Sequence, residues 1–310
     1  MKHELTAVVD SYPHTDALLS GAVSDPDVDL RFEHFSPVRS AFAAMAQRRQ
    51  FDVSEMALAT YVQARGSGSP ITLLPVTMLA RFQHPYLVKS PGGAIVDPHD
   101  LEGRRIGIQS YAQTTGVWVR GILSRQFGVD LSTIEWVALE DTHVAGFERP
   151  DNVVFAPDGK GMAELLDDGD VAAAIVSRPL STAQAAVPLF DDLERATRDW
   201  YQKTGVLQIN HMVCVGTDLI EDTPEVVRSV LSMFAAAREA AGPRQAESGP
   251  LSWTAQIDTI PFGLAAVRPT VEMMLALCIE QGLVGADLTL ADLLHPALGD
   301  LESSVLASGR

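Results

Sequence analysis

The chain is poor in cysteine and in basic residues. Its 310 residues include two cysteines, Cys214 and Cys278, so neither a disulfide framework nor a cysteine-based zinc site is expected. Lysine and arginine number 23 against 40 acidic residues, which gives a net charge of −17. This imbalance argues against binding to nucleic acid or to an anionic membrane, and an anionic ligand would need a local positive site.

Long apolar runs and familiar catalytic motifs are also missing. No stretch reaches the length of a transmembrane helix, and the N-terminal "MKHELTAVVDSY" lacks the features of a signal peptide, so we expect a cytoplasmic protein if Met1 is the native start. There is no P-loop, dinucleotide fingerprint, HExxH motif or G-x-S-x-G elbow, and no convincing metal-ligand spacing. We therefore expect acid–base chemistry without a cofactor and without a metal.

Short apolar runs alternate with amphipathic segments, which is typical of an α/β fold with crossover helices. Strands are predicted at "LTAVV", "VDLRFEHF", "ITLLPV", "PYLVK", "RIGIQ", "IEWVAL", "VAAAIV" and "INHMVCVG". Helices are predicted near 37–49, 54–64, 114–127, 161–167, 191–203, 224–241 and 268–282, and turn-rich loops at 64–70 and 242–250.

Two segments, 81–93 and 203–216, read as crossovers between lobes. A chain that leaves one α/β lobe, builds another and returns makes a discontinuous first lobe. We expect lobe 1 to comprise residues 1–88 and 210–310, and lobe 2 to comprise residues 89–209. This is the architecture of a hinged two-lobe binding protein.

Ligands of open α/β sheets bind at the carboxyl ends of the strands. Three polar strand-to-helix junctions, at 8–18, 51–61 and 109–118, should face one cleft, and the first of them contains Tyr12 and His14. The third contains Thr114 and Thr115, either of which is a candidate N-cap. The free N–H groups of that helix start could bind a carboxylate, although capping alone is the alternative.

Other polar residues of this region allow two readings each. Trp118 shares a helix face with Thr114 and could form an aromatic wall, whereas Arg120 lies about 120° around the helix and would reach the cleft rim or form a surface ion pair. Glu55 and Asp52 have the spacing of a capping box, and the alternative for Glu55 is an acid, a base or a ligand to a phenol.

Two histidines lie in the predicted crossovers. Arg81 and His84 can serve one site only if the chain turns between them, which Pro85 permits. His211, next to Asn210, is either a core histidine or a functional residue at the cleft.

Several blocks together resemble the 4,5-dihydroxyphthalate decarboxylase family, in order, from about residue 5 to 297. They include "FDVSEMALATYV", "LLPVTMLARFQH", "DLEGRRIGIQSYAQTTGVWVRGIL" and "YQKTGVLQINHMV". The resemblance implies a type 2 periplasmic-binding-protein fold, near the thiamine-precursor-type solute-binding proteins, with the site in the inter-lobe cleft. Gln83 and Asn210 depart from the family pattern, which tends to carry Arg and Met at these positions, and this leaves the exact substrate open.

The resemblance further implies decarboxylation of a hydroxylated aromatic acid by protonation of a ring carbon and loss of CO2, without a cofactor. His211 is then the preferred general acid, and Arg81 binds the carboxylate that stays, assisted by the helix start at Thr114 and Thr115. His84 and Glu55 would hold or deprotonate the phenol, with His14 as a secondary candidate. The rest of the predicted pocket consists of Tyr12, Tyr111, Trp118, Arg120 and Asn210.

Two other functions remain open at this point. The chain could be a solute-binding protein for a small aromatic or carboxylate ligand, without chemistry, or an enzyme of the same family that acts on another small acid. In each case the expected partner is a small carboxylate, and the apolar final helices are a candidate contact for a homo-oligomer.

Overall fold

The computed structural model describes residues 2–178, 180, 185–242, 251, 253–254 and 257–308. Two mixed β-sheets with flanking helices form the described part, so the predicted α/β class is confirmed. The first sheet has the order β2-β1-β3-β11-β4 and consists of β1 (His3–Val8), β2 (Val28–Phe32), β3 (Val53–Ala57), β4 (Ile71–Ala80) and β11 (Ile209–Gly216).

The second sheet has the order β10-β5-β9-β6-β7-β8. Its strands are β5 (Leu87–Lys89), β6 (Arg105–Ile108), β7 (Glu135–Ala138), β8 (Val153–Phe155), β9 (Ala173–Ile175) and β10 (Val187–Pro188). The chain therefore passes from the first sheet to the second after β4 and returns before β11. The lobe boundaries at 88/89 and 209/210 stay a proposal.

The described helices are α1 (Asp16–Leu19), α2 (Phe42–Arg48), α3 (Leu58–Gly66), α4 (Thr114–Phe127), α5 (Met162–Asp167), α6 (Leu193–Thr204), α7 (Thr217–Asp222), α8 (Pro224–Ala240), α9 (Leu264–Glu280), α10 (Leu290–Leu293) and α11 (Leu298–Ser308). Short 3-10 turns cover Val38–Ala41, His84–Tyr86, Pro98–Leu101 and Leu131–Thr133. None of the described helices is long and apolar enough to cross a membrane.

The strand directions bring functional loops together. Strands β1, β3 and β4 run parallel to one another, because β11 lies between β3 and β4 and is antiparallel to both. In the second sheet β6, β7 and β9 are parallel. The segments that follow β1, β3 and β6 are the three predicted junctions, and β4, β7 and β9 add three further ones.

The predicted helix at 54–64 is wrong in its first turn. Residues Val53–Ala57 form a central strand whose five residues are all buried, and the helix begins only at Leu58. A strand that is buried on both faces has no polar alternation to reveal it. Asp52 is not an N-cap, because its carboxylate accepts hydrogen bonds from the backbone N–H (2.8 Å) and hydroxyl (2.9 Å) of Thr6.

Most other predicted helices agree with the structure. Helix α4 has the predicted bounds and ends at Gly128 in the left-handed conformation, and α8 begins at Pro224 as predicted. The helix predicted at 268–282 begins earlier, at Leu264, whose N–H donates to the carboxylate of Glu302. Both cysteines are buried in the core as expected, and the loop predicted at 242–250 lies almost entirely outside the described residues.

Helix α4 is buried on nearly all sides, and Arg120 is the polar group at its centre. The arginine is 0% exposed and donates to the side-chain oxygen of Gln281 (2.7 Å) and to the backbone oxygen of Tyr111 (2.6 Å). Its guanidinium also lies over the Tyr111 ring, 4.0 Å from the centroid. Both predicted positions of Arg120, at the cleft rim and in a surface ion pair, are therefore wrong. Its contacts tie α4 to the end of α9 instead.

Replacing Arg120 with alanine should lower the free energy of unfolding by about 3 kcal/mol or more, because it leaves a cavity and buried oxygen acceptors without donors. Urea unfolding of Arg120→Ala measures this. Arg125→Ala is the matched control, since Arg125 lies on the same helix and makes a surface ion pair with Glu280, which contributes at most about 1 kcal/mol. Equal unfolding midpoints for the two variants would contradict the prediction.

Candidate active site

A cavity of about 380 Å³ lies where the carboxyl ends of strands from both sheets meet. Such a volume is in the range of pockets for small organic ligands. The first sheet and its loops contribute Asp10, Tyr12, Ala57, Leu79, Arg81, Asn210 and His211. The second sheet and its loops contribute Gln109, Ser110, Gln113, Thr114, Thr115, Glu140, His143, Ser177 and Arg178. The three predicted junctions therefore do face one cleft.

A buried carboxylate and a histidine form the centre of this site. Glu55 is 0% exposed, and its Oε1 lies 2.6 Å from Nδ1 of His211. The same oxygen accepts from the hydroxyl of Tyr12 (2.8 Å), and Oε2 accepts from the backbone N–H of Asp10 (2.9 Å). Burial raises the pKa of Glu55, but these hydrogen bonds and the nearby imidazole outweigh it, so the pKa is lowered and Glu55 stays ionised.

The contact with Glu55 orients the His211 ring. Because a carboxylate can only accept, Nδ1 carries the hydrogen of this bond, and Nε2 is left for the cavity. The His211 side chain is 19% exposed and lines the cavity. Phe42 stands edge-on to it, with ring centroids 5.2 Å apart, and packs in the same way against His143 at 6.0 Å. Phe42 thus supports two cavity histidines.

Tyr12 lines the cavity beside this pair. Burial raises its pKa, and the negative charge of Glu55 and the hydrogen bond to it raise the pKa further, so the phenol stays protonated. The Tyr12 ring stacks on His14 at 5.1 Å between centroids. His14 itself is buried and is not part of the cavity wall.

Three arginines reach the cavity. Arg81 is half-buried, stacks 3.8 Å from the Tyr86 ring centroid and donates to the backbone oxygen of Ser177 (3.0 Å). Arg178 is exposed and makes no ion pair with a described residue, whereas Arg39 pairs with Glu140, which also lines the cavity (3.3 Å). Arg81 and Arg178 are therefore the two cationic side chains available to an anionic ligand within the described structure.

The start of helix α4 also faces the cavity, but its cap differs from the prediction. The N-cap is Gln113, and Thr114 and Thr115 are the first two helical residues. The Thr114 hydroxyl accepts from the backbone N–H of Ala59 (3.1 Å), which docks α4 on α3, and the Thr115 hydroxyl accepts from Nδ2 of Asn210 (3.2 Å). The helix start thus presents free N–H groups without a capping side chain.

Besides Glu55 and His14, four further predicted residues do not line the cavity. His84 is 0% exposed, bonds to Gln126 (2.9 Å) and packs against Phe190 and Trp200, and burial lowers its pKa to about 4. Trp118 donates from its indole to the backbone oxygen of Ile209 (2.9 Å). Tyr111 and Arg120 lie against each other behind the cavity wall. The structure gives these four residues places in the core.

Sequence reasoning does not find His143 and Arg178. Arg178 follows β9 by three residues, so the rule that selects carboxyl ends of strands could have identified it. His143 lies in the loop after β7, where no periodic pattern marks it, and its ring Nδ1 is 3.3 Å from the Thr60 hydroxyl. No three histidine, cysteine or carboxylate side chains converge as metal ligands in the described ranges.

Two curated proteins that are similar to this chain have the same name. A 4,5-dihydroxyphthalate decarboxylase from Comamonas testosteroni is 27% identical over 328 aligned positions, which cover 96% of this chain and 97% of the relative. A 4,5-dihydroxyphthalate decarboxylase from Pseudomonas putida is 28% identical over 65% of this chain and 82% of the relative. No protein-family model matches the chain.

Solved structures show the same fold at low sequence identity. A periplasmic sulfonate-binding protein from Methylobacillus flagellatus has a TM-score of 0.58 and 11% identity, with 99% of this chain and 94% of that chain covered. A desulfurization enzyme has a TM-score of 0.52 and 16% identity, with both chains fully covered. The resemblance and the fold predicted from sequence are confirmed: the chain is similar over most of its length to a 4,5-dihydroxyphthalate decarboxylase, and it has the two-lobe fold of the sulfonate-binding protein.

Proposed function

We propose that this protein is a carboxy-lyase that removes CO2 from 4,5-dihydroxyphthalate or a close relative, without a cofactor. The observation that carries the proposal is the hydrogen bond of 2.6 Å between buried Glu55 and the cavity residue His211. A carboxylate that fixes one ring nitrogen of a histidine leaves the other to give and take a proton. The curated relatives supply the substrate class.

The reaction needs a group that protonates a ring carbon and a group that takes and returns the proton of the para hydroxyl. In 4,5-dihydroxyphthalate each carboxylate lies para to a hydroxyl. A proton is added to the ring carbon that bears the leaving carboxylate, while the para hydroxyl loses its proton and becomes a dienone oxygen. The bond to the carboxylate then breaks, its electron pair restores the aromatic ring, and the oxygen regains a proton. In sum, one proton replaces one CO2.

His211 delivers the proton to carbon in this proposal. Its Nε2 is the nitrogen left for the cavity, and the Glu55 carboxylate holds the ring and compensates its positive charge during the transfer. Glu55 acts through His211, because its described hydrogen bonds go to Asp10, Tyr12 and His211. The direct contact of Glu55 with a phenol that the sequence suggests is therefore not part of this mechanism.

The carboxylate that stays needs positive charge and hydrogen-bond donors. Arg81 and the start of helix α4 provide both, and Arg178 adds a second cation at the cavity. The para hydroxyl needs a partner that can take its proton, and the cavity offers His143. Tyr12 stays protonated and donates to Glu55, so it can only accept a hydrogen bond there. Burial lowers the pKa of His143, so its ring is neutral at pH 7 and can accept a proton. His84 has no role here.

A solute-binding protein without chemistry is the second candidate. The fold of the sulfonate-binding protein favours it, and the same fold also occurs in a desulfurization enzyme, so the fold does not decide. An enzyme that acts on a different small acid is the third candidate. A cytoplasmic location and a homo-oligomer contact through the final helices remain predictions.

Incubation of purified protein, first dialysed against a chelator, with 4,5-dihydroxyphthalate tests the proposal. We expect release of CO2 and a change in the ultraviolet spectrum without any added cofactor. Binding of the acid without CO2 release would identify a receptor. The absence of both would point to a different substrate, and a panel of hydroxylated aromatic acids would then identify it.

Replacing His211 with glutamine should lower turnover by at least about 10²-fold, because the general acid is lost while the size of the side chain is nearly kept. Binding of the substrate should persist. Steady-state rates of CO2 release measure the effect, and His99→Gln, at an exposed histidine away from the cavity, is the control. Turnover of His211→Gln equal to that of the control would remove His211 from this role.

Replacing Arg81 with glutamine should weaken binding of the aromatic acid about 10- to 100-fold, since a charge-assisted contact to the carboxylate is lost. Calorimetric titration with 3,4-dihydroxybenzoate, the expected product, gives the dissociation constant. Arg228→Gln removes an exposed arginine on α8 and should bind as the wild type does. An unchanged constant for Arg81→Gln would show that the anion lies elsewhere.

Glu55 should also make stability depend on pH. Its folded pKa is lowered from the ordinary 4.5, so its contribution to stability is present above pH 4.5 and is lost as the pH falls through the folded value. The difference in unfolding free energy between wild type and Glu55→Gln should therefore shrink below pH 4.5. Urea unfolding at several pH values tests this, with Glu239→Gln, at an exposed carboxylate, as control. A constant difference would refute it.

A further inference from the structure

The two departures from the family pattern, Gln83 and Asn210, are hydrogen-bonded to each other. Nε2 of Gln83 donates to Oδ1 of Asn210 (2.6 Å) and to the backbone oxygen of Arg81 (2.8 Å). Nδ2 of Asn210 donates in turn to the hydroxyl of Thr115 (3.2 Å). Gln83 is 0% exposed and lies behind the wall, whereas Asn210 and Thr115 line the cavity.

The contact between Gln83 and the backbone oxygen of Arg81 fixes the orientation of both amide groups. A backbone carbonyl can only accept, so the Gln83 amide must turn its nitrogen, and not its oxygen, toward Arg81. That nitrogen has two hydrogens, and the second meets Asn210. The Asn210 amide therefore turns its oxygen to Gln83 and its nitrogen to Thr115. If both amides were reversed, Oε1 of Gln83 would face the backbone oxygen of Arg81, and neither atom can donate a hydrogen bond.

This direction determines the polarity of the cavity wall. The Nδ2 group of Asn210 has a second hydrogen beyond the one given to Thr115. The Thr115 hydroxyl already accepts from Asn210, and it donates to no described residue, so its hydrogen is available. Asn210 and Thr115 thus offer donors to the cavity, next to the free N–H groups of helix α4 and the Arg81 guanidinium.

We propose that Gln83 is a positioning residue that holds Asn210 as a hydrogen-bond donor, and that Asn210 and Thr115 bind an oxygen of the carboxylate that the substrate retains. The identity of that carboxylate as part of a hydroxylated aromatic acid rests on the proposed function. A wall of donors accepts an anionic oxygen well, because hydrogen bonds to a charged acceptor are stronger than those to a neutral one. It leaves an ammonium or an amide N–H group of a ligand without a partner.

Two isosteric substitutions test the polarity directly. Asn210→Asp puts an oxygen where Nδ2 stands. Gln83→Glu leaves an acceptor at position 83, so Asn210 must turn its nitrogen to it and present Oδ1 to the cavity. The binding of 3,4-dihydroxybenzoate and of catechol, which lacks the carboxylate, is measured by calorimetry for each variant. Gln202→Glu, an exposed change on α6 with the same added charge, is the control.

We expect both variants to bind 3,4-dihydroxybenzoate at least about 10-fold more weakly than the wild type, and catechol within about 3-fold of it. The proposal is wrong if either variant binds 3,4-dihydroxybenzoate as tightly as the wild type does. It is also wrong if a variant loses affinity equally for the acid and for catechol.

Circular dichroism shows whether each variant folds, and Asn210→Asp alone decides if Gln83→Glu does not fold. A wild type that binds the acid but releases no CO2 from 4,5-dihydroxyphthalate refutes only the decarboxylase, whereas one that binds no aromatic acid overturns both.

Discussion

A carboxylate buried in the middle of a β-sheet must find hydrogen-bond donors to replace water, and Glu55 is such a group. Its donors come from three places: the backbone N–H of Asp10, the hydroxyl of Tyr12 and the imidazole of His211. Two of them belong to the loop after β1 and the third to β11. Keeping Glu55 ionised therefore fixes how that loop leaves the sheet and how β11 enters it, and both define the cavity.

The same site depends on the two connections between the sheets. The backbone N–H of Arg81, after β4, donates to the backbone oxygen of Gln208, before β11, at 3.0 Å. The connections thus run side by side: Arg81 and Gln83 lie in the first, and the second leads directly to Asn210 and His211 at the start of β11. A change in the angle between the lobes would act on these residues first. Helix α4 limits such a change, because Trp118 bonds to the backbone of Ile209 at the start of β11.

The sequence predicts those parts of the fold that have local signals. Helix α4 has both of its predicted ends because a periodic pattern precedes a glycine that adopts the left-handed conformation. Strand β3 is missed because it is buried on both faces, and Asp52 and Glu55 happen to have the spacing of a capping box. Arg120 is expected at the cleft rim or in a surface ion pair, since a helical wheel does not reveal that α4 is buried on nearly all sides.

Site residues are harder to predict than elements, because a site depends on contacts between distant segments. The carboxyl-end rule brings Tyr12 and Thr115 into one cleft, and the predicted crossover adds His211. Neither pattern can tell on which side of the turn at Pro85 His84 will lie. Nor does the sequence show that Gln83 and Asn210 meet. Considered one at a time, they read as a lost cation and an added amide, whereas the structure joins them in one hydrogen-bonded pair.

The charges around the cavity bear on the choice between receptor and enzyme. A receptor for an anion is served by arginines and by helix N–H groups, and it gains nothing from a buried negative charge beside its ligand. Glu55 places such a charge one hydrogen bond from the cavity, and burying a carboxylate costs stability unless it is fully bonded. Catalysis accounts for this loss of stability, because Glu55 holds the histidine that must bind and release a proton. The position of Glu55, more than the fold, therefore favours catalysis.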